Sequence, residues 1–120
     1  MNVDRLRTYL DEIQQVARET VDFVKDVNKD EFLNDVIRQR AVGMNLLMIG
    51  EATSRIMDEY PEFAAEFSSV PWQKMRGMRN RIAQDYMSMN LDSVWDTVQT
   101  AIPDLVDALY GLRHWRAEGE

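Results

Sequence analysis

Apolar positions recur three or four residues apart along almost the whole chain, a spacing that predicts helices. Val3, Leu6, Leu10, Ile13, Val16, Val21 and Val24 form one stripe with charged residues between them, which predicts a first helix over about residues 4–26. Asn28 and Glu31 have the spacing of a capping box, where a side-chain oxygen and a carboxylate satisfy opposite backbone amides, so a short helical turn is expected through Leu33. Asp35 should cap a long helix whose core stripe is expected at Ile37, Ala41, Met44, Leu47, Met48, Ala52 and Ile56, ending before Pro61. At ~1.5 Å per residue, such a helix of about 25 residues is nearly 40 Å long and would be the central strut.

EYPEFAAEFSSVP reads as a connector punctuated by Pro61 and Pro71. Pro71 suits the first position of the next helix, where its missing amide goes unneeded, and that helix should run from about Pro71 to Gln84. Asn90 is placed to cap a last helix carrying Val94, Trp95, Val98, Ile102, Leu105, Val106, Leu109 and Leu112. Pro103 should kink it by deleting one backbone hydrogen bond, and WRAEGE should fray. With no period-2 strand, repeat or low-complexity tract, the expected fold is all-α, an up-and-down bundle of four main helices plus a short turn, spanning residues 1–120 as one domain.

Composition narrows the chemistry. The chain has 120 residues, 45% of them hydrophobic and 29% charged, a balance that supports a packed core. Without cysteine there is no disulfide framework and no thiolate zinc site. His114 is the only histidine, so a paired Glu-x-x-His di-iron site is excluded; beside Trp115 it reads as a solvent-exposed or end-capping residue. No metal or cofactor is expected. No apolar run reaches the ~20 residues of a membrane span, and MNVDRLRTYLDE carries charges where a signal peptide is apolar, so the expected location is the cytoplasm, with no membrane partner.

Net charge is −7, which argues against broad electrostatic adhesion to nucleic acid. One window reverses the sign. Residues 68–84 carry Lys74, Arg76, Arg79 and Arg81 without an acid, a charge of +4, while the other 10 basic and 21 acidic residues leave −11 elsewhere. No phosphate-loop glycine pattern is present. Gly43 and Gly50 instead lie inside the long helix, where each costs about 1 kcal/mol relative to alanine, and close packing of another helix would compensate. The methionine spacing at Met44, Met48, Met75 and Met78 is helical and predicts core or interface packing.

The basic window ends in RGMRNRIAQDY, residues 76–86. On a helix turning ~100° per residue, Met75, Met78 and Ile82 share a buried face, with Arg79 at its margin. Tyr86 falls near the line of Arg79 if the helix continues that far, whereas Gln84 points well away, so convergence of Arg79 and Gln84 on one ligand requires the helix to end near Gln84 or a second chain to complete the site. Helix geometry leaves two readings open. Arg76 and Arg79 reach acids on neighbouring helices while Gln84 and Asp85 close the helix end, or a guanidinium fork beside a tyrosine binds phosphate.

AVGMNLLMIGEATSRI and VPWQKMRGMRNRIAQDYMSMNLDSVWDTV together resemble the HepT family, toxin members of MNT/HepT toxin-antitoxin pairs within the HEPN group of helical ribonucleases. The resemblance implies a HEPN-like all-α homodimer with two motif sites facing each other, acting as a metal-independent endoribonuclease on RNA. The family motif is Arg-x-x-x-x-His-x-Tyr with a polar residue after the arginine. Arg79, Asn80 and Tyr86 match it; Gln84 stands at the histidine position. A neutral amide does not transfer protons near pH 7, so the implied consequence is a toxin subunit with impaired catalysis. The alternative is a non-catalytic dimeric binding module for a nucleotidyltransferase partner or a nucleotide. By the same resemblance Arg79, Asn80, Gln84 and Tyr86 make up the catalytic set, with Arg76 and Arg81 as supporting phosphate contacts. The implied partner is an MNT-type nucleotidyltransferase antitoxin, with Tyr86 as the acceptor of AMP.

Overall fold

The computed structural model describes the backbone of residues 3–119 and the side chains of residues 3–112. All its regular elements are helical. Helix α1 (Val3–Phe23) buries Leu6, Tyr9, Leu10, Ile13, Ala17 and Thr20. It stops short of the predicted residue 26 because the chain turns through Asp26, whose φ of 62° lies in the left-handed region. Helix α2 (Lys29–Leu33) begins with the predicted capping box: Asn28 Oδ1 accepts the Glu31 amide at 2.8 Å, and the Glu31 carboxylate accepts the Asn28 amide at 3.2 Å. Asp35 then caps α3 (Val36–Glu59) by accepting the Arg38 amide at 3.0 Å.

The expected connector contains a helix, α4 (Pro61–Glu66). Pro61 occupies its first turn, and Phe63 folds inward against Phe67 and Trp72, with ring centroids 4.8 and 6.3 Å away. Apolar content inside the EFAAEF segment, rather than the flanking prolines, decided this local structure. Helix α5 (Trp72–Gln84) follows, then a 3₁₀ turn (Tyr86–Ser88), α6 (Leu91–Gln99) and α7 (Ala101–Gly119). The last predicted helix is therefore broken, not kinked, at Thr100. Continuity would require Pro103 to donate to Gln99 and would press its ring on that carbonyl; the break places Pro103 in the first turn of α7, where no amide is needed. Backbone helicity then continues to Gly119, through most of the stretch expected to fray. His114 lies outside the residues with described side chains.

The long helix α3 is the strut, packed against α1 and α5, with α7 against α1. Its buried face matches the predicted one only at Ala52 and Ile56. Val42, Leu46, Ile49, Ala52 and Ile56 enter the core, whereas Ile37, Met44 and Met48 are exposed, Ile37 to 83%. Apolar residues occur all round α3, and the true inner face also carries Gln39, Asn45, Thr53 and Ser54, so spacing alone misplaces the N-terminal half of the stripe. Two of these polar residues are satisfied locally: Asn45 Nδ2 donates to Thr20 Oγ1 at 3.2 Å and to Glu19 at 3.1 Å, and Gln39 Nε2 donates to the Phe32 carbonyl at 3.0 Å. The methionines divide accordingly. Met75 and Met78 are core; Met44 and Met48 look outward.

Candidate functional site

Helix α5 lies against α3 because α3 has a notch. A Cβ at Gly50 would fall 2.2 Å from Arg79 Cβ and 2.7 Å from its Cγ, so only glycine admits the arginine stem at this crossing. Met75, Met78 and Ile82 anchor the rest of α5 in the core, as their spacing predicts. Arg79 thus emerges at the core margin with 25% of its side chain exposed, and its Nη1 donates to Glu51 Oε2 at 2.8 Å. Its Nε is buried without a hydrogen-bond partner, which costs roughly 1–3 kcal/mol for a desolvated donor. Glu51 also accepts Arg55 Nε at 3.4 Å, one helical turn along α3.

These side chains form one wall of a cleft of about 650 Å³ between α1, α3 and the end of α5. Glu12, Glu51, Arg55, Arg79 and Tyr86 supply its polar groups, over an apolar floor that includes Val16, Leu47 and Met48. Two carboxylates and two guanidiniums leave the cleft formally neutral. Tyr86 reaches it because α5 ends at Gln84: Asp85 is extended, with φ −157° and ψ 90°, and its carboxylate accepts the Met87 and Ser88 amides at 3.1 Å each. The resulting 3₁₀ turn leaves Tyr86 62% exposed on a ridge shared with a second, apolar cleft of about 330 Å³ containing Met44, Met87 and Met89. Met89 packs on Gly43, with Cε 3.0 Å from the position a Cβ would take.

Of the motif residues, then, Arg79 and Tyr86 share a cleft; Asn80 and Gln84 are exposed and do not line it. Arg76 is engaged elsewhere. Its Nε donates to Ser54 Oγ at 3.1 Å, and its Nη2 donates to the Ser54 carbonyl at 2.9 Å and to Asp58 at 2.7 Å. Arg81 is exposed on α5 and also lies outside the cleft lining. The first of the two readings of the arginines holds, since Arg76 and Arg79 do reach acids on the neighbouring helix, while Arg79 also borders an open cleft. The +4 window is correspondingly weaker in three dimensions, since Asp58 and Glu51 offset two of its cations.

Sequence reasoning had passed over Glu51 and Arg55. Their four-residue spacing on a helix was visible, and so was Gly50 beside them, but which face met Arg79 depended on how α3 is rotated. No described helix is long and apolar enough to cross a membrane.

A family model described as "Ribonuclease HepT-like" matches residues 6–110. Among curated proteins, a Caldanaerobacter subterraneus protein provisionally named an RNase is 32% identical over 99 residues, 82% of this chain and 86% of its own. A Methanocaldococcus jannaschii protein, also provisionally named an RNase, is 31% identical over 82% of this chain and 79% of its own. A Thermococcus cleftensis protein provisionally named ribonuclease HepT is 29% identical over 89% of this chain and 94% of its own. No solved structure gives a significant match.

Proposed function

The chain belongs to the HepT-like ribonuclease family, and from that premise we propose that it is the toxin subunit of a toxin-antitoxin pair, a HEPN-type endoribonuclease built as one helical domain over residues 1–120. The observation that carries this reading is the convergence of Arg79 and Tyr86 on one open cleft of about 650 Å³, with RNA as substrate. In it, Arg79 takes phosphate charge, Asn80 positions substrate from the exposed face of α5, and Gln84 stands where the motif histidine would transfer a proton. A neutral amide cannot do so, and motif catalysis is therefore impaired. Tyr86, with its hydroxyl on an exposed ridge, is the proposed acceptor of AMP from a nucleotidyltransferase antitoxin. AMP there would bring an anionic phosphate to the cleft that holds Arg79 and so compete with RNA.

The proposal includes a homodimer. Ile37, Met44, Met48 and Met87 leave an apolar surface on α3 and the 3₁₀ turn, next to the cleft, and a second copy of that surface is its natural cover.

The test is a cleavage assay on single-stranded RNA with the unaltered chain and Gln84→His. The histidine variant should cleave about 10²-fold faster or more; equal rates would remove position 84 from catalysis. Incubation with the antitoxin and ATP, followed by mass spectrometry, tests Tyr86. AMP on another residue, or on none, refutes its assignment. The glutamine also favours a second reading, a non-catalytic dimeric module that holds a nucleotidyltransferase or a nucleotide; in that case neither form cleaves RNA, while Arg79→Ala abolishes nucleotide binding.

A further inference from the structure

We infer that Glu51 is the proton acceptor for the RNA cleavage that this chain carries out without a motif histidine. The inference rests on the ribonuclease reading. Gln84 does not line the cleft in which Arg79 and Tyr86 meet, but two carboxylates do, Glu12 and Glu51. A carboxylate within hydrogen-bond reach of a reacting hydroxyl is a competent general base.

Geometry selects Glu51. In cleavage through the ribose, the attacking 2'-oxygen must come within about 3–3.5 Å of the phosphorus. The base must therefore sit beside the groups that hold the phosphate. Glu51 is 2.8 Å from Arg79 Nη1 and 3.4 Å from Arg55 Nε, so a phosphate on either guanidinium has its neighbouring 2'-hydroxyl within reach of that carboxylate. About half of the Glu51 side chain is exposed, at 52%, so a ribose can approach it. Glu12 makes neither contact. Among the described residues Arg79 bonds through Nη1 to Glu51, leaving Nη2 for a phosphate oxygen.

The step balances with groups of the same cleft. The Glu51 carboxylate takes the 2'-hydroxyl proton, and the 2'-oxygen bonds to phosphorus. The bond from phosphorus to the 5'-oxygen breaks, and its electron pair stays on that oxygen. The leaving oxygen is protonated by the Tyr86 hydroxyl or by water, giving a 2',3'-cyclic phosphate and a 5'-hydroxyl. Arg79 and Arg55 take the charge that develops on the phosphoryl oxygens. Proton return from Glu51 to solvent and then to Tyr86 restores the resting site.

The experiment measures single-turnover cleavage of a single-stranded RNA by the full chain from pH 4 to 9, with RNA affinity and thermal melting recorded for every variant. The unaltered chain should cleave slowly, without the limb near 6.5 that a histidine base would give. Glu51→Gln should lower the rate by about 10²–10⁴-fold with RNA affinity retained, and Glu51→Asp should recover part of it. Gln84→His should add a limb near 6.5. A Glu51→Gln rate within threefold of the unaltered chain overturns the inference. So does loss of RNA binding in parallel with cleavage, because Glu51 then only positions Arg79. A chain that cleaves only as Gln84→His overturns it while sparing the ribonuclease reading. If neither form cleaves, both fall together.

Discussion

Replacing Gly50 by alanine sets two effects against each other. Helix propensity favours the alanine by about 1 kcal/mol, since Gly50 lies in the middle of α3. Packing opposes it: the new Cβ would lie 2.2 Å from Arg79 Cβ, 2.7 Å from Arg79 Cγ and 3.0 Å from the Met75 carbonyl oxygen. None of these is the far end of a flexible side chain, so α3 and α5 must move apart by an ångström or more. Overpacking of this kind costs roughly 1–3 kcal/mol, and separating the main interface of the bundle puts it at the upper end. The expected net is a loss of about 1–2 kcal/mol, or roughly 4–10 °C in melting temperature for a domain of this size. Gly111→Ala is the matched control. It occupies an exposed turn of α7 with nothing within 4 Å of its Cβ position, so propensity acts alone and the variant should be more stable by up to about 1 kcal/mol. Thermal and urea unfolding of both, followed by circular dichroism, measures the two signs. A Gly50→Ala protein as stable as the parent or more so would refute the notch, and with it the account of how Arg79 is seated. RNA affinity should fall with Gly50→Ala and remain unchanged with Gly111→Ala.

Arg76→Ala should destabilise the fold by about 2 kcal/mol, because it removes charge-assisted bonds to Ser54 and Asp58, while Arg81→Ala should stay within about 0.5 kcal/mol; equal effects in urea titration would contradict the engaged geometry of Arg76. The Asp35 carboxyl is held below its usual value by the Arg38 backbone amide and then by the Arg38 side chain. Its folded-state pKa is thus depressed, so its stabilising contribution is complete above the unfolded-state value near 3.8 and is lost as pH falls through the folded-state value below that. Asp35→Ala should accordingly lower the melting temperature at pH 7 and have a progressively smaller effect as pH falls below 3.8, and a uniform shift across pH would exclude linkage at this residue. On the proposed pairing, Met44→Asp should give a monomer without unfolding it, as read by light scattering, because Met44 is 56% exposed within one chain. A variant that remains dimeric would place the interface elsewhere.

The sequence by itself determined the helical class and most of the punctuation. The capping side chains of Asn28, Asp35 and Asn90 act on amides only three residues away, so their effect is local and readable. The same holds for the buried face of α5 and for the last core stripe, where Val94, Val98, Ile102, Leu105 and Leu109 recur three or four residues apart. The Arg79, Asn80 and Tyr86 pattern was legible as a family motif, and so was the glutamine within it. Rotation of α3 was not legible, because a helix apolar on more than one side has no single inner face until its neighbours are placed. That rotation decided the outcome for Met44 and Met48, which turn outward, and for Glu51, which meets Arg79. Helix geometry already turned Gln84 away from Arg79, but tertiary structure decided how Tyr86 reaches the cleft. Ending α5 at Gln84 and capping the next turn with Asp85 replaces a continuous 100° progression by a change of direction. Spacing along a chain specifies partners within a few residues; which side chains from α1, α3 and α5 share a cleft depends on packing between helices, and at this crossing a single glycine sets it.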